Sequence, residues 1–231
     1  IGYQALRVSL SGDNNFAAGQ NALYNNWGGS YNHAIGCGAL KNNTTGCHNT
    51  AIGNTALLCN TTGIHNNALG YNALYFNVSG NNNFAAGPYA LCRNTGGCCN
   101  TAIGSGALGN NSYGSDNTAI GYAALNYNTT GSCNTAIGYR AMLQNTTGCR
   151  NVAIGEYTSY ANSTGECNVG IGYRPLYANT TGCYNQGIGD NALTSNTTGC
   201  WNTAIGHSAS HSNVTGSNNV AIGRYSLFYA N

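Results

Sequence analysis

Small and apolar side chains return along this chain at a fixed interval of seventeen residues. Take the alanine of Asn134–Gly138, N-T-A-I-G, as position 0 of the repeat. Ala17, Ala34, Ala51, Ala68, Ala85, Ala102, Ala119, Ala136, Ala153, Gly170, Gly187, Ala204 and Ala221 then share one column, with no insertion or deletion between them. Position −2 is Asn in every copy, and positions 2 and 12 are Gly in every copy. Position 9 is Asn from Asn26 to Asn213, and position 6 is Leu or Met except at Ser159 and Ser210. So strict a period predicts structural units that bury their apolar faces on one another. Recurrent Gly and Asn predict corners with positive φ, leaving two short strands, at positions −1 to 1 and 4 to 8. The expected fold is all-β: a parallel β-solenoid or β-roll of about fourteen seventeen-residue rungs, an elongated rod. Residues 1–231 read as a single repeat domain without caps, a piece of a longer chain or a unit that stacks end to end.

Alternation along a strand puts positions −1 and 1 on one face. Position 1 is Ile or Leu except at Ala18 and Ala86, and in those two copies position −1 is phenylalanine, Phe16 and Phe84. Volume lost at one position returns at the other, as a close-packed interior requires. Positions −1 and 1 are therefore expected in the core. Position 0, always Ala or Gly, is expected on the opposite face, against a second layer or a neighbouring chain. Every charged residue avoids the invariant positions and marks the outside, where Tyr3, Tyr71, Tyr122, Tyr139 and Tyr173 join them at position 3.

Composition narrows the function. Seven Lys and Arg and five Asp and Glu give a net charge of +2. That is too little clustered positive charge for nucleic acid, and too little charge with too many aromatics for disorder. No apolar run has the length of a membrane span. Eleven cysteines point to an oxidising compartment outside the cell.

The phrase N-x-A-I-G-x-x-A-L resembles the head repeats of trimeric autotransporter adhesins. The longer A-I-G-Y-x-A-L-x-x-N-T-T-G resembles repeats of phage tail-fibre-like and other secreted surface proteins. The resemblance covers the whole chain, and implies an extracellular, rod-forming, trimeric structure at a cell or virion surface. The N-T-T-G turn and the cysteines are departures from it.

The turn carries N-glycosylation sequons at Asn43, Asn60, Asn77, Asn128, Asn145, Asn162, Asn179, Asn196 and Asn213. The same turn keeps Asn but loses the sequon at Asn26, Asn94 and Asn111. The asparagine thus has two readings, a structural turn or ladder residue and a site for covalent N-glycans. Cys133 with Cys149 and Cys167 with Cys183 lie one rung apart, within disulfide reach, and are expected to staple adjacent rungs. Cys47, His48 and His65 supply three of the four ligands a closed zinc site needs, so no metal is expected. The acidic residues form no recurrent pair and no catalytic triad assembles, so neither an enzyme nor a cofactor is expected. The leading function is a non-enzymatic extracellular structural protein, a filament or shaft subunit whose partners are copies of itself. A surface adhesin using the Tyr-rich face is the alternative. An ice-binding solenoid ranks third, because Thr50, Thr101, Thr118, Thr135 and Thr203 share position −1 with His33, Asn67 and Gln186.

Overall fold

The computed structural model describes residues 1–8 and 11–229. Packing divides the chain into two compact units, residues 1–116 and 117–231. The first contains β1 (Phe16–Ala18), β2 (His33–Ile35), β3 (Thr50–Ile52), β4 (Asn67–Leu69), β5 (Phe84–Ala86) and β6 (Thr101–Ile103). The second contains β7 (Thr118–Ile120), β8 (Thr135–Ile137), β9 (Val152–Ile154), β10 (Val169–Ile171), β11 (Gln186–Ile188), β12 (Thr203–Ile205) and β13 (Val220–Ile222). No helix occurs among the described residues.

Within each unit every strand pairs in parallel with the next copy, position on position. Ala34 lies opposite Ala51 and Ala51 opposite Ala68, and Ile120, Ile137 and Ile154 are consecutive steps of one column. The fold is a parallel β-solenoid with seventeen-residue rungs, as the period required. The described residues hold thirteen strands, not fourteen rungs. The copy that includes Ile1 lacks positions −1 and 0, so it has no strand.

The predicted facing is reversed. Position 0 points inward, with Ala34, Ala51, Ala119 and Ala136 fully buried, while Phe16 is 45% and Ile52 42% exposed on the opposite face. The compensating Phe and Ala pairs at positions −1 and 1 are therefore neighbours on the outer surface. The interior is narrow, and only Ala or Gly fits at position 0 because positions 5 and 6 press against it.

Those two positions also overturn the predicted second strand, which does not form. Ala22 and Leu23, or Ala141 and Met142, are consecutive yet both buried, which a strand with alternating faces cannot achieve. The chain manages it by placing positions 4 and 6 in the left-handed region, as at Asn21 (φ 55°) and Leu23 (φ 51°). Neighbouring rungs hold it there. Asn21 N donates to Tyr3 O at 2.9 Å in the preceding rung, and Leu23 N to Ala39 O at 2.9 Å in the following one. The left-handed cost of about 1–2 kcal/mol per residue is offset by bonds that only the stack supplies.

The volume trade sought on the strand runs across the interior. The two glycines of column 0 stand where position 5 is enlarged. A Cβ on Gly170 would lie 2.5 Å from Thr158 Cγ2, and one on Gly187 would lie 3.2 Å from Leu176 Cγ and 3.4 Å from Pro175 Cβ. Thr158 is followed by Ser159, which replaces the usual Leu at position 6. Gly170→Ala is thus expected to cost about 1–3 kcal/mol by overpacking. Thr158→Ala in the same chain should return most of it, a coupling of about 0.5–3 kcal/mol readable in a chemical-denaturation double-mutant cycle.

Candidate functional site

The invariant asparagines form two buried ladders that meet on one carbonyl per rung. Along position 9, Asn43 Nδ2 donates to Asn26 Oδ1 at 2.8 Å and to Gly46 O at 2.9 Å. Along position −2, Asn49 Nδ2 donates to Asn32 Oδ1 at 3.2 Å and to Gly63 O at 2.8 Å. Gly63 O also accepts Asn60 Nδ2 at 3.0 Å, so both ladders converge on position 12. A Cβ on Gly148 would lie 2.5 Å from both Asn145 Oδ1 and Gly165 O, which excludes every other residue there. At position 2 the requirement is conformational as well: Gly138 has φ 136°, and a Cβ would lie 2.5 Å from Gly155 O. Neither ladder asparagine has positive φ; besides the position 2 corners, the left-handed residues are at positions 4, 6 and 14.

All nine sequon asparagines, Asn43, Asn60, Asn77, Asn128, Asn145, Asn162, Asn179, Asn196 and Asn213, belong to the position 9 column and are at most 1% exposed. Of the two readings, their placement is that of the structural ladder. A glycan on any of these nitrogens would displace an amide enclosed within the rung.

The cysteines do not pair. Cys133, Cys149, Cys167 and Cys183 are free thiols, as are the other seven. The expected partners sit at positions 13 and 14, which have different tasks. At position 13 the thiol accepts a backbone N–H from the preceding rung, as Cys149 does from Ser132 (3.4 Å) and Cys200 from Cys183 (3.1 Å). At position 14 the residue is left-handed, as at Cys133 (φ 59°) and Cys167 (φ 56°). Burial pushes the Cys59, Cys92 and Cys183 thiols above their usual range. His48 and His65 stack face to face at 4.9 Å, with Tyr31 on His48 at 4.9 Å. They are steps of an aromatic column, and among the described residues no three His, Cys, Asp or Glu side chains converge to hold a metal.

Every charged residue is exposed or half-buried, as expected from its position. Aromatic rings stack at the rung spacing, including Tyr184 on Trp201 (4.1 Å), Tyr122 on Tyr139 (5.4 Å) and Tyr160 on Tyr177 (5.2 Å). Beside them runs the outward face of the strands. In the second unit its position 1 column is unbroken isoleucine from Ile120 to Ile222. No helix among the described residues is long and apolar enough to cross a membrane. Compared with protein-family models, curated proteins and solved structures, the chain matches none.

Asn145→Ala tests the ladder. It removes the donor to Asn128 Oδ1 and the acceptor of Asn162 Nδ2. The expected loss is about 1–3 kcal/mol for each buried group left unsatisfied, read as a fall in denaturation midpoint. For the cysteines, alkylation without reductant should add eleven adducts by intact mass. Cys59, Cys92 and Cys183 should react more slowly than exposed Cys37, Cys99 and Cys133. A raised thiol pKa leaves less thiolate at a given pH, so their rates should climb as pH rises. A missing pair of adducts would restore a disulfide.

Proposed function

We propose that this protein is a non-enzymatic structural solenoid, a shaft or fibre subunit that assembles with copies of itself. We propose a location outside the cell or on a virion, a reading supported by the likeness of its repeat phrase to those of secreted surface proteins. The observation that carries the reading is the isoleucine column. Ile35, Ile52 and Ile103 in the first unit, and Ile154, Ile171 and Ile205 in the second, are each more than a third exposed, at a position that carries no charge. Regular apolar stripes of this kind mark interaction surfaces. Position 0 is interior, so lateral contact between chains falls to positions −1 and 1. Axial contact would use the pairing that joins successive rungs within each unit, since that pairing has the same register at each step.

The interior supports the same reading. Among the described residues most buried polar side chains are asparagines of the two ladders, and none carries a charge. The ice-binding reading gains one observation, the outward facing of the position −1 threonines. Gln186, Val152 and Val169 nevertheless interrupt that column in the second unit, so it lacks the regular threonine array such a surface needs.

Electron microscopy and light scattering of the purified chain should show ordered assemblies. Ile137→Asp with Ile171→Asp, two rungs apart so that the charges are not directly paired, should leave circular dichroism and melting close to wild type, because both side chains point outward, yet abolish lateral association. A wild-type chain that stays a dispersed monomer would remove the reading.

A further inference from the structure

The second unit carries a recess of about 320 Å³ lined by Arg140, Tyr157, Tyr160, Tyr173, Arg174 and Tyr177. Its floor is the position 4 column, Arg140, Tyr157 and Arg174, one residue per rung. Each is held left-handed (φ 52°, 54° and 57°). Each also donates its backbone N–H to the preceding rung: Arg140 to Tyr122 O at 2.9 Å, Tyr157 to Tyr139 O at 3.0 Å and Arg174 to Glu156 O at 3.1 Å. The walls are tyrosines of positions 3 and 7. The backbone beneath is fixed by the stack, so a ligand would meet an arranged set of groups and have little chain to order.

The lining has two guanidiniums and no carboxylate. Arg174 Cζ lies 4.3 Å from the Tyr177 ring centroid and 6.0 Å from that of Tyr173. Arg140 Cζ lies 5.2 Å from Tyr139. Stacking on rings leaves the N–H edges of a guanidinium for an anion. Arg174 Nε is enclosed without a hydrogen-bond partner. The nearest carboxylate on the following rung, Asp190, already accepts the Tyr173 backbone N–H at 3.2 Å. Burial, the neighbouring Tyr139 and the Glu156 carboxylate push the Tyr157 hydroxyl above the usual phenol range.

We infer that this recess binds an acidic saccharide, its anionic group held by Arg140 and Arg174 and its sugar ring lying against the tyrosines. Anion, hydroxyls and an apolar ring face are the three features the lining answers: guanidinium N–H, phenol O–H and aromatic surface. Nucleic acid is the less suited anion, because a chain of net charge +2 offers no track of cations to follow a phosphate backbone. The volume is at the small end for ligand pockets, sufficient for one or two sugar rings.

The carboxylate of a uronic acid and the sulfate of a sulfated sugar share this chemistry, and calorimetry on the full chain separates them. Trigalacturonate, a heparin-derived tetrasaccharide and neutral cellotriose are the three probes. The expected result is salt-sensitive binding of one or both acidic probes and none of the neutral one. Arg140→Gln with Arg174→Gln should weaken it about tenfold or more. Glutamine suits that backbone, since Gln4 occupies position 4 with φ 57°, so the double variant should melt as the wild type does. Absence of binding by either acidic probe, equal binding of cellotriose, or full retention by the double variant would each overturn the assignment. These variants leave the isoleucine face untouched, so this test and the assembly test fail independently.

Discussion

One carbonyl per rung anchors the structure. At position 12 a glycine oxygen receives the side-chain amides of two asparagines from two ladders, and a neighbouring rung lies where any Cβ would be. Within each unit every rung therefore has to sit directly on the last, at the strand spacing of about 4.8 Å. The asparagines satisfy buried polar groups that would otherwise be costly. Because each amide serves its own rung and the next, no rung completes its hydrogen bonds alone, and stability resides in the stack.

The narrow interior follows from that spacing. Ala or Gly at position 0, mostly Ala at position 5 and Leu at position 6 fill it, and left-handed residues at positions 4 and 6 turn two consecutive side chains inward. An enlarged residue is matched by a smaller one across the rung, as Thr158 is by Gly170. What varies from copy to copy points outward, where a change alters one step of a column without disturbing its neighbours. The isoleucine face, the stacked rings and the arginine–tyrosine recess are three uses of that freedom. The stacked rings Tyr160 and Tyr177 are also walls of the recess, whereas the isoleucines of position 1 share no column with it.

Part of this was legible beforehand. The period, the parallel in-register columns and the outward position of every charge follow from the repeat, because an unpaired charge cannot enter a stack of this kind. The facing of the strand was not legible. Covariation of Phe16 with Ala18 and of Phe84 with Ala86 shows that two positions are neighbours, and neighbours trade volume on either surface. The discriminating signal lay between copies: Gly170 and Gly187 follow the copies in which Thr158 and Pro175 replace the position 5 alanine. The sequons left two readings open for a related reason. N-T-T-G is equally a glycan acceptor and a turn that begins with a ladder asparagine, and only burial separates the two. The recess escaped notice because Arg140, Tyr157 and Arg174 share position 4 without sharing a residue type.

The sequence by itself determined that this chain repeats, that copies align position on position, and that chemistry varies only at the non-invariant positions. Tertiary structure alone decided which face is inside, how the chain returns without a second strand, and which asparagines and cysteines are accessible. The physical reason is that periodicity specifies what stacks on what, whereas inside and outside depend on curvature. The curvature is set by left-handed residues that their own side chains do not favour and that only bonds to neighbouring rungs hold in place.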